Sequence, residues 1–129
     1  MLTRCFVKVA LKILAVDDNA SIRESMPFIF SDEGYEVSTA TDGTNALNKL
    51  SADPSGFDVI IVDQKMPQMT GVELIHEIRE RHFAGKIMVL SAHLSAEICE
   101  AYEKMDVRLL LDKPFDIQEL RSAVDRLDA

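Results

Sequence analysis

The chain has 129 residues, enough for one domain with a real hydrophobic core. Hydrophobic residues make up 47% and charged residues 28%, and the net charge of −8 lacks the basic footprint of a nucleic-acid binder. No stretch approaches the roughly 18 uninterrupted apolar residues of a membrane span. The opening segment is broken by Arg4, Lys8 and Lys12 and has no small-residue cleavage site after it, so it does not read as a signal peptide. Cys5 and Cys99 lie far apart without metal-ligand spacing and read as reduced thiols, which leads to an expected cytoplasmic location.

In chain order, residues 1–11 read as an N-terminal extension to a domain spanning 12–129. Residues before the first strand read as a longer strand, a disordered arm or a non-native start, and the alternation of Val7, Val9, Leu11 and Ile13 favours the first. Ile13 to Val16 is the first of four short apolar runs that read as strands buried on both faces; the others are Val59–Val62, Ile87–Leu90 and Leu109–Leu111. After the first run, Ser21-Ile22-Arg23-Glu24 reads as a capping box. Ile22, Met26, Ile29 and Phe30 then share one helical face until Gly34, and Pro27 predicts a kink, because an interior proline costs about 3 kcal/mol. Tyr35 to Ala40 alternates apolar and polar residues, as an edge strand does.

Ala46, Leu47 and Leu50 mark a second helix, Leu74, Ile75 and Ile78 a third, and Ser95 to Met105 a less periodic fourth. Asp116-Ile117-Gln118-Glu119 caps a fifth, with Ile117, Leu120, Val124 and Leu127 at helical spacing. Met26 and Met88 read as core fillers, and His76 and His82 as surface residues with no metal-spaced partner. Strands alternating with helices predict an α/β fold, a doubly wound (βα)5 three-layer sandwich around a five-stranded parallel sheet with right-handed crossovers.

Open parallel sheets place their sites beyond the carboxyl ends of the strands. The first strand ends in Asp17-Asp18, the third in Asp63, the fourth in Ser91, and the fifth runs into Lys113-Pro114. Each piece has an ordinary reading. Asp17-Asp18-Asn19 can cap a helix, Asp63 can open a turn, Ser91 can be a solvated hydroxyl and Lys113 a surface lysine. The conjunction points elsewhere. Three clustered carboxylates repel one another, and a hard cation such as Mg²⁺ relieves that repulsion. An ammonium and a hydroxyl beside them suit a phosphoryl group, and an aspartate can be the nucleophile that accepts it.

These residues resemble the receiver domains of two-component response regulators. The resemblance covers residues 12–127 and rests on Ile13-Leu14-Ala15-Val16-Asp17-Asp18-Asn19, on Asp58 to Pro67 with Thr70-Gly71, on Met88-Val89-Leu90-Ser91-Ala92 and on Asp112-Lys113-Pro114-Phe115. It implies a flavodoxin-like strand order 2-1-3-4-5, with Asp63 as phosphoacceptor. Asp18 and Asp63 would ligate Mg²⁺ directly, Asp17 through a water, and Lys65 through its backbone carbonyl. Lys113 would pair with Asp63 and then with the phosphoryl oxygens, Ser91 would hydrogen-bond one of them, and the Lys113–Pro114 peptide would be cis. Lys65 and His93 stand where similar proteins tune loss of the phosphoryl group. A sensor histidine kinase or phosphotransfer protein would be the donor and a protein the output partner, with a dimer through helix four, strand five and helix five as a candidate assembly.

The fifth strand departs from the family pattern. Asp106 and Val107 hold the places of a usual Gly-Ala, and Leu110 that of the aromatic that commonly moves with the hydroxyl. The implied function is Mg²⁺-dependent phosphoacceptance that switches a protein-interaction surface, with no conventional turnover. Three readings within that class stay open: a diffusible regulator, a phosphorelay intermediate, or a receiver excised from a longer protein. The alternative class, an Mg²⁺-dependent phosphohydrolase with an aspartyl-phosphate intermediate, needs a general acid where Lys65 stands. A flavin or nucleotide binder needs a Gly-rich loop where Asp17-Asp18-Asn19 stands, and a DNA-binding regulator needs an effector domain for which this length leaves no room.

Overall fold

A computed structural model describes residues 10–128 apart from Glu33 and Arg108. Five strands, β1 (Leu11–Val16), β2 (Tyr35–Ala40), β3 (Val59–Asp63), β4 (Lys86–Ser91) and β5 (Leu109–Asp112), alternate with five helices. The helices are α1 (Ala20–Ile29), α2 (Gly43–Ala52), α3 (Gly71–Glu80), α4 (Ala96–Lys104) and α5 (Ile117–Asp128). All pairings are parallel and the order is β2-β1-β3-β4-β5, so the predicted doubly wound fold and its strand order are observed.

Strand alternation divides the core in two. Leu14, Val16, Ile60, Val62 and Val89 face α2, α3 and α4, against Ala46, Leu50, Leu74, Ile75, Ile78 and Tyr102. Ile13, Ala15, Val59, Ile61, Met88 and Leu90 face α1 and α5, against Met26, Ile29, Leu120, Ala123 and Val124. Every residue of β3 is buried, which explains its unbroken apolar run. Each Val or Ile so buried contributes about 1.5–3 kcal/mol. Register then brings the strand ends level. Val16 lies between Ala40 and Val62, Asp63 pairs with Leu90, and Ser91 with Asp112.

Three expectations are corrected. The N-cap of α1 is Asn19, whose side chain accepts from the Ser21 N–H, so the capping box assigned to Ser21 and Glu24 does not form there. That box occurs on α3 instead, between Thr70 and Glu73. Helix α1 stops at Ile29, well before Gly34, and runs through Pro27 on the way. Its end is closed from a distance: Arg121 of α5 donates to the Ile29 carbonyl at 3.0 Å and pairs with Asp32. Strand β5 is only half-buried at Leu109, Leu110 and Leu111, because it is an edge with one neighbour rather than an interior strand. Other expectations hold. Strand β2 is the opposite edge, Asp116 accepts from the Glu119 N–H at the start of α5, and Met26 and Met88 are buried. His76 and His82 are exposed, and Cys99 is a free thiol. Cys5, Val7 and Val9 lie outside the described residues.

The turns after α3 and α4 share a device. Phe83 N–H bonds to Ile78 O and His82 N–H to Arg79 O; likewise Val107 N–H bonds to Tyr102 O and Asp106 N–H to Glu103 O. Both are Schellman closures, with His82 (φ 58°) and Asp106 (φ 59°) in the left-handed position that glycine favours. Asp106, at the place where the sequence pattern of the fifth strand departs from a Gly-Ala, thus takes a conformation that glycine favours.

Candidate functional site

Strand ends and the loops after them form an open depression of about 360 Å³ lined by Asp17, Asp18, Asn19, Asp63, Lys65, Ala92 and Lys113. Asp17 follows β1 directly; it is buried, and its Oδ1 accepts from the Asn19 N–H at 2.9 Å, which turns the chain out of the strand. Asp18 is exposed on that turn. Asp63 is the last residue of β3 and is also buried. One carboxylate oxygen from each of Asp17, Asp18 and Asp63 lies within 4.8 Å of the others, the one such acidic group among the described residues.

Lys113 counters this charge. Its Nζ donates to Asp63 Oδ1 at 3.0 Å and to Asp17 Oδ2 at 3.3 Å, and its peptide to Pro114 is cis, as the family resemblance implied. The Lys113 N–H bonds to the Ser91 carbonyl at 2.8 Å, which ties the lysine's backbone to the end of β4. Burial pushes the Asp63 carboxyl above its ordinary value, and the charges of Asp17 and Asp18 add to that rise, against the pull of Lys113. Burial would lower the Lys113 pKa, but its hydrogen bond to Asp63 and the nearby carboxylate charges outweigh it, so the net shift is upward. The lysine is therefore a fixed cation.

The remaining predicted residues are placed less tightly. Ser91 is buried at the end of β4, but its hydroxyl donates to the His93 carbonyl at 3.0 Å and accepts the His93 N–H at 3.2 Å. It makes no hydrogen bond to Asp63. Lys65 and His93 are exposed, Lys65 on the rim of the depression.

Two residues at this edge escape sequence reading. Gln64, directly after Asp63, is held by Gln64 N–H to Leu90 O at 3.0 Å and Gly71 N–H to Gln64 O at 2.8 Å. Its side-chain oxygen accepts from the hydroxyl of Tyr102, fully buried on α4. No periodicity signals a contact between residues 38 positions apart.

The family profile described as "Response regulator receiver domain" matches residues 13–125, and the chain belongs to that family. It is 29% identical to sporulation initiation phosphotransferase F of Bacillus subtilis (strain 168) over 115 residues, 89% of this chain and 91% of that protein. It is 34% identical over 109 residues to a response regulator receiver protein of Anaeromyxobacter sp. (strain Fw109-5), across 84% of this chain and 45% of that protein. The chain thus spans about half the length of several curated relatives, response regulator MprA of Mycobacterium leprae (50%) among them. Among solved structures, the Vibrio cholerae chemotaxis protein CheY4 superposes with a TM-score of 0.84 at 36% identity, covering 92% of this chain and 99% of that one. No helix among the described residues is long and apolar enough to cross a membrane.

Proposed function

We propose that this receiver domain accepts a phosphoryl group on Asp63 and thereby switches a protein-binding face. The observation that carries the reading is Lys113, whose ammonium bridges buried Asp63 and Asp17 at the carboxyl edge of the sheet. In the transfer, an Asp63 carboxylate oxygen attacks the phosphorus of a phosphohistidine. The new O–P bond forms as the P–N bond breaks, and the imidazole leaves with the electron pair and takes up a proton. Lys113 then exchanges its Asp63 oxygen for an oxygen of the phosphoryl group, and Ser91 supplies a hydroxyl to another once it leaves His93.

The donor set fits a hard divalent cation, because three carboxylates offer oxygens within 4.8 Å of one another. Asp18 and Asp63 would hold Mg²⁺ directly, Asp17 through a water and Lys65 through its backbone carbonyl. When bound there, Mg²⁺ neutralises carboxylate charge and the charge that develops on the transferring group. The donor is a sensor histidine kinase or a phosphotransfer protein, and the reader is a protein on the face of α4, β5 and α5, where a second copy could also dock. A phosphohydrolase lacks support, because exposed Lys65 stands where that chemistry needs an acid.

The test is phosphorylation by acetyl phosphate, with and without Mg²⁺, read by intact mass on the wild type and Asp63→Asn. A Mg²⁺-dependent gain of one phosphoryl group on the wild type alone is expected. No gain on the wild type, or the same gain in the variant, would overturn the reading.

A further inference from the structure

We propose that the hydrogen bond from the Tyr102 hydroxyl to the Gln64 side chain couples the acceptor end of β3 to helix α4, so that α4 registers phosphorylation of Asp63. The inference rests on Asp63 being the phosphoacceptor.

Leu110 cannot move a ring between two positions, so a route from site to surface has to use other side chains. Tyr102 is the one side chain of α4 that is fully buried among its described residues; Ile98, Cys99 and Ala101 are half-buried and the rest exposed or nearly so. Tyr102 is the deepest anchor of α4, with Ile98 packed against the same core, so a shift of Tyr102 bears directly on the helix. The polar tip of this anchor ends on the residue adjacent to the acceptor. Burial, and secondarily the charge of Asp63, push the Tyr102 hydroxyl above its ordinary range, so it remains a donor.

The space around this bond is closed by Gly71. A Cβ there would stand 2.5 Å from Tyr102 Oη and 2.9 Å from Gln64 Cα, so only glycine leaves room for the two to meet. The end of β3, the start of α3 and α4 thus converge on one point. The link also extends along the chain: the Tyr102 carbonyl accepts the Val107 N–H at 3.0 Å, in the turn leading to β5. A phosphoryl group on Asp63 adds about one further negative charge beside Gln64. Any change in the Asp63–Gln64 backbone, or in the Gln64 rotamer, moves the acceptor of the Tyr102 hydroxyl.

The experiment uses the full chain with Mg²⁺ and beryllofluoride, a mimic of the aspartate-bound phosphoryl group. ¹⁹F NMR reads occupancy of the site, and ¹H–¹⁵N spectra read the amides of residues 96–104. In the wild type, filling the site is expected to shift the α4 amides. In Tyr102→Phe the ¹⁹F signal persists, but the α4 shifts fall at least about threefold, with a similar fall in Gln64→Ala and no further fall in the double variant. Gln64→Ala leaves the Tyr102 ring in the core, so it guards against a packing effect of the tyrosine change. An undiminished α4 response in either filled variant, or independent, additive losses in the double variant, overturns the proposal. A wild type that takes up no beryllofluoride overturns the acceptor reading itself, before any variant is compared.

Discussion

Lys113 Nζ lies 3.0 Å from Asp63 Oδ1, a contact that spans 50 residues of sequence. The two charges are set by different elements, Asp63 by the end of β3 and Lys113 by the loop after β5, so their meeting depends on the order of the sheet. The ammonium also reaches Asp17. Removing it would leave two buried carboxylates facing each other, and an unpaired buried charge is costlier than a paired one.

Lys113→Ala is therefore expected to lower stability at neutral pH without Mg²⁺ by about 1–3 kcal/mol, discounted from the fully buried case because the lysine is partly exposed. Millimolar Mg²⁺ should restore part of the loss, by supplying another cation to the same oxygens. Urea unfolding of both proteins with and without Mg²⁺ checks this. Equal midpoints in the absence of Mg²⁺ would show that the lysine does not offset the carboxylate repulsion.

Asp63 gives the opposite sign. Burial first, then the charges of Asp17 and Asp18, hold its carboxyl above the ordinary value of 3.8 despite Lys113. A folded state that binds this proton more tightly than the unfolded state is favoured when the group is protonated. That contribution is complete below the ordinary value and is lost as pH rises through the raised one. Asp63→Asn carries no such loss, so above this window the Mg²⁺-free variant should melt higher than the wild type, on the order of 2–5 °C. The gap should close below the ordinary aspartate value. Melting curves from pH 3 to 8, without Mg²⁺, test the sign.

Gly71 tests the packing beneath the site. Its missing Cβ leaves space that the Tyr102 hydroxyl and the Gln64 backbone fill. Gly71→Ala is expected to cost about 1–3 kcal/mol, because one of the two obstacles is backbone and cannot simply rotate away. Denaturant midpoints measure it. A neutral effect would mean that this junction yields more easily than its distances imply.

The acidic edge was legible in the sequence because it depends on local signals: short apolar runs, each ended by a polar residue, in an α/β alternation that sends all strand ends one way. Val59 to Val62 announced a buried strand and Asp63 its end. What escaped depends on contacts across the chain. Asn19 and Ser21 both suit a helix cap, and the turn that Asp17 makes with the Asn19 N–H decides between them. The end of α1 at Ile29 has no local signal, because Arg121, far along the chain, closes it. Leu109 to Leu111 reads like an interior strand; only the sheet order makes it an edge. Tyr102 sits in the least periodic of the helices, and its partner Gln64 has no pattern of its own.

Substitution of Ser91 is expected to separate phosphoryl acceptance from the response of the loop after β4. Its hydroxyl is engaged with both backbone groups of His93, at 3.0 Å and 3.2 Å, and would have to leave them to meet a phosphoryl oxygen on Asp63. In Ser91→Ala the His93 N–H and carbonyl lose that partner, which should lower stability by about 0.5–1.5 kcal/mol. Asp63, Lys113 and the acidic cluster remain, so under the proposed function Asp63 should still gain a phosphoryl group from acetyl phosphate. The movement of the loop after β4 should weaken, since nothing then draws this segment toward the site. Ser91→Thr keeps the hydroxyl and should restore the response. Mass spectrometry reads the first property and amide exchange of residues 91–95 with and without beryllofluoride reads the second. A full loop response in the alanine variant would show that the loop moves without the hydroxyl.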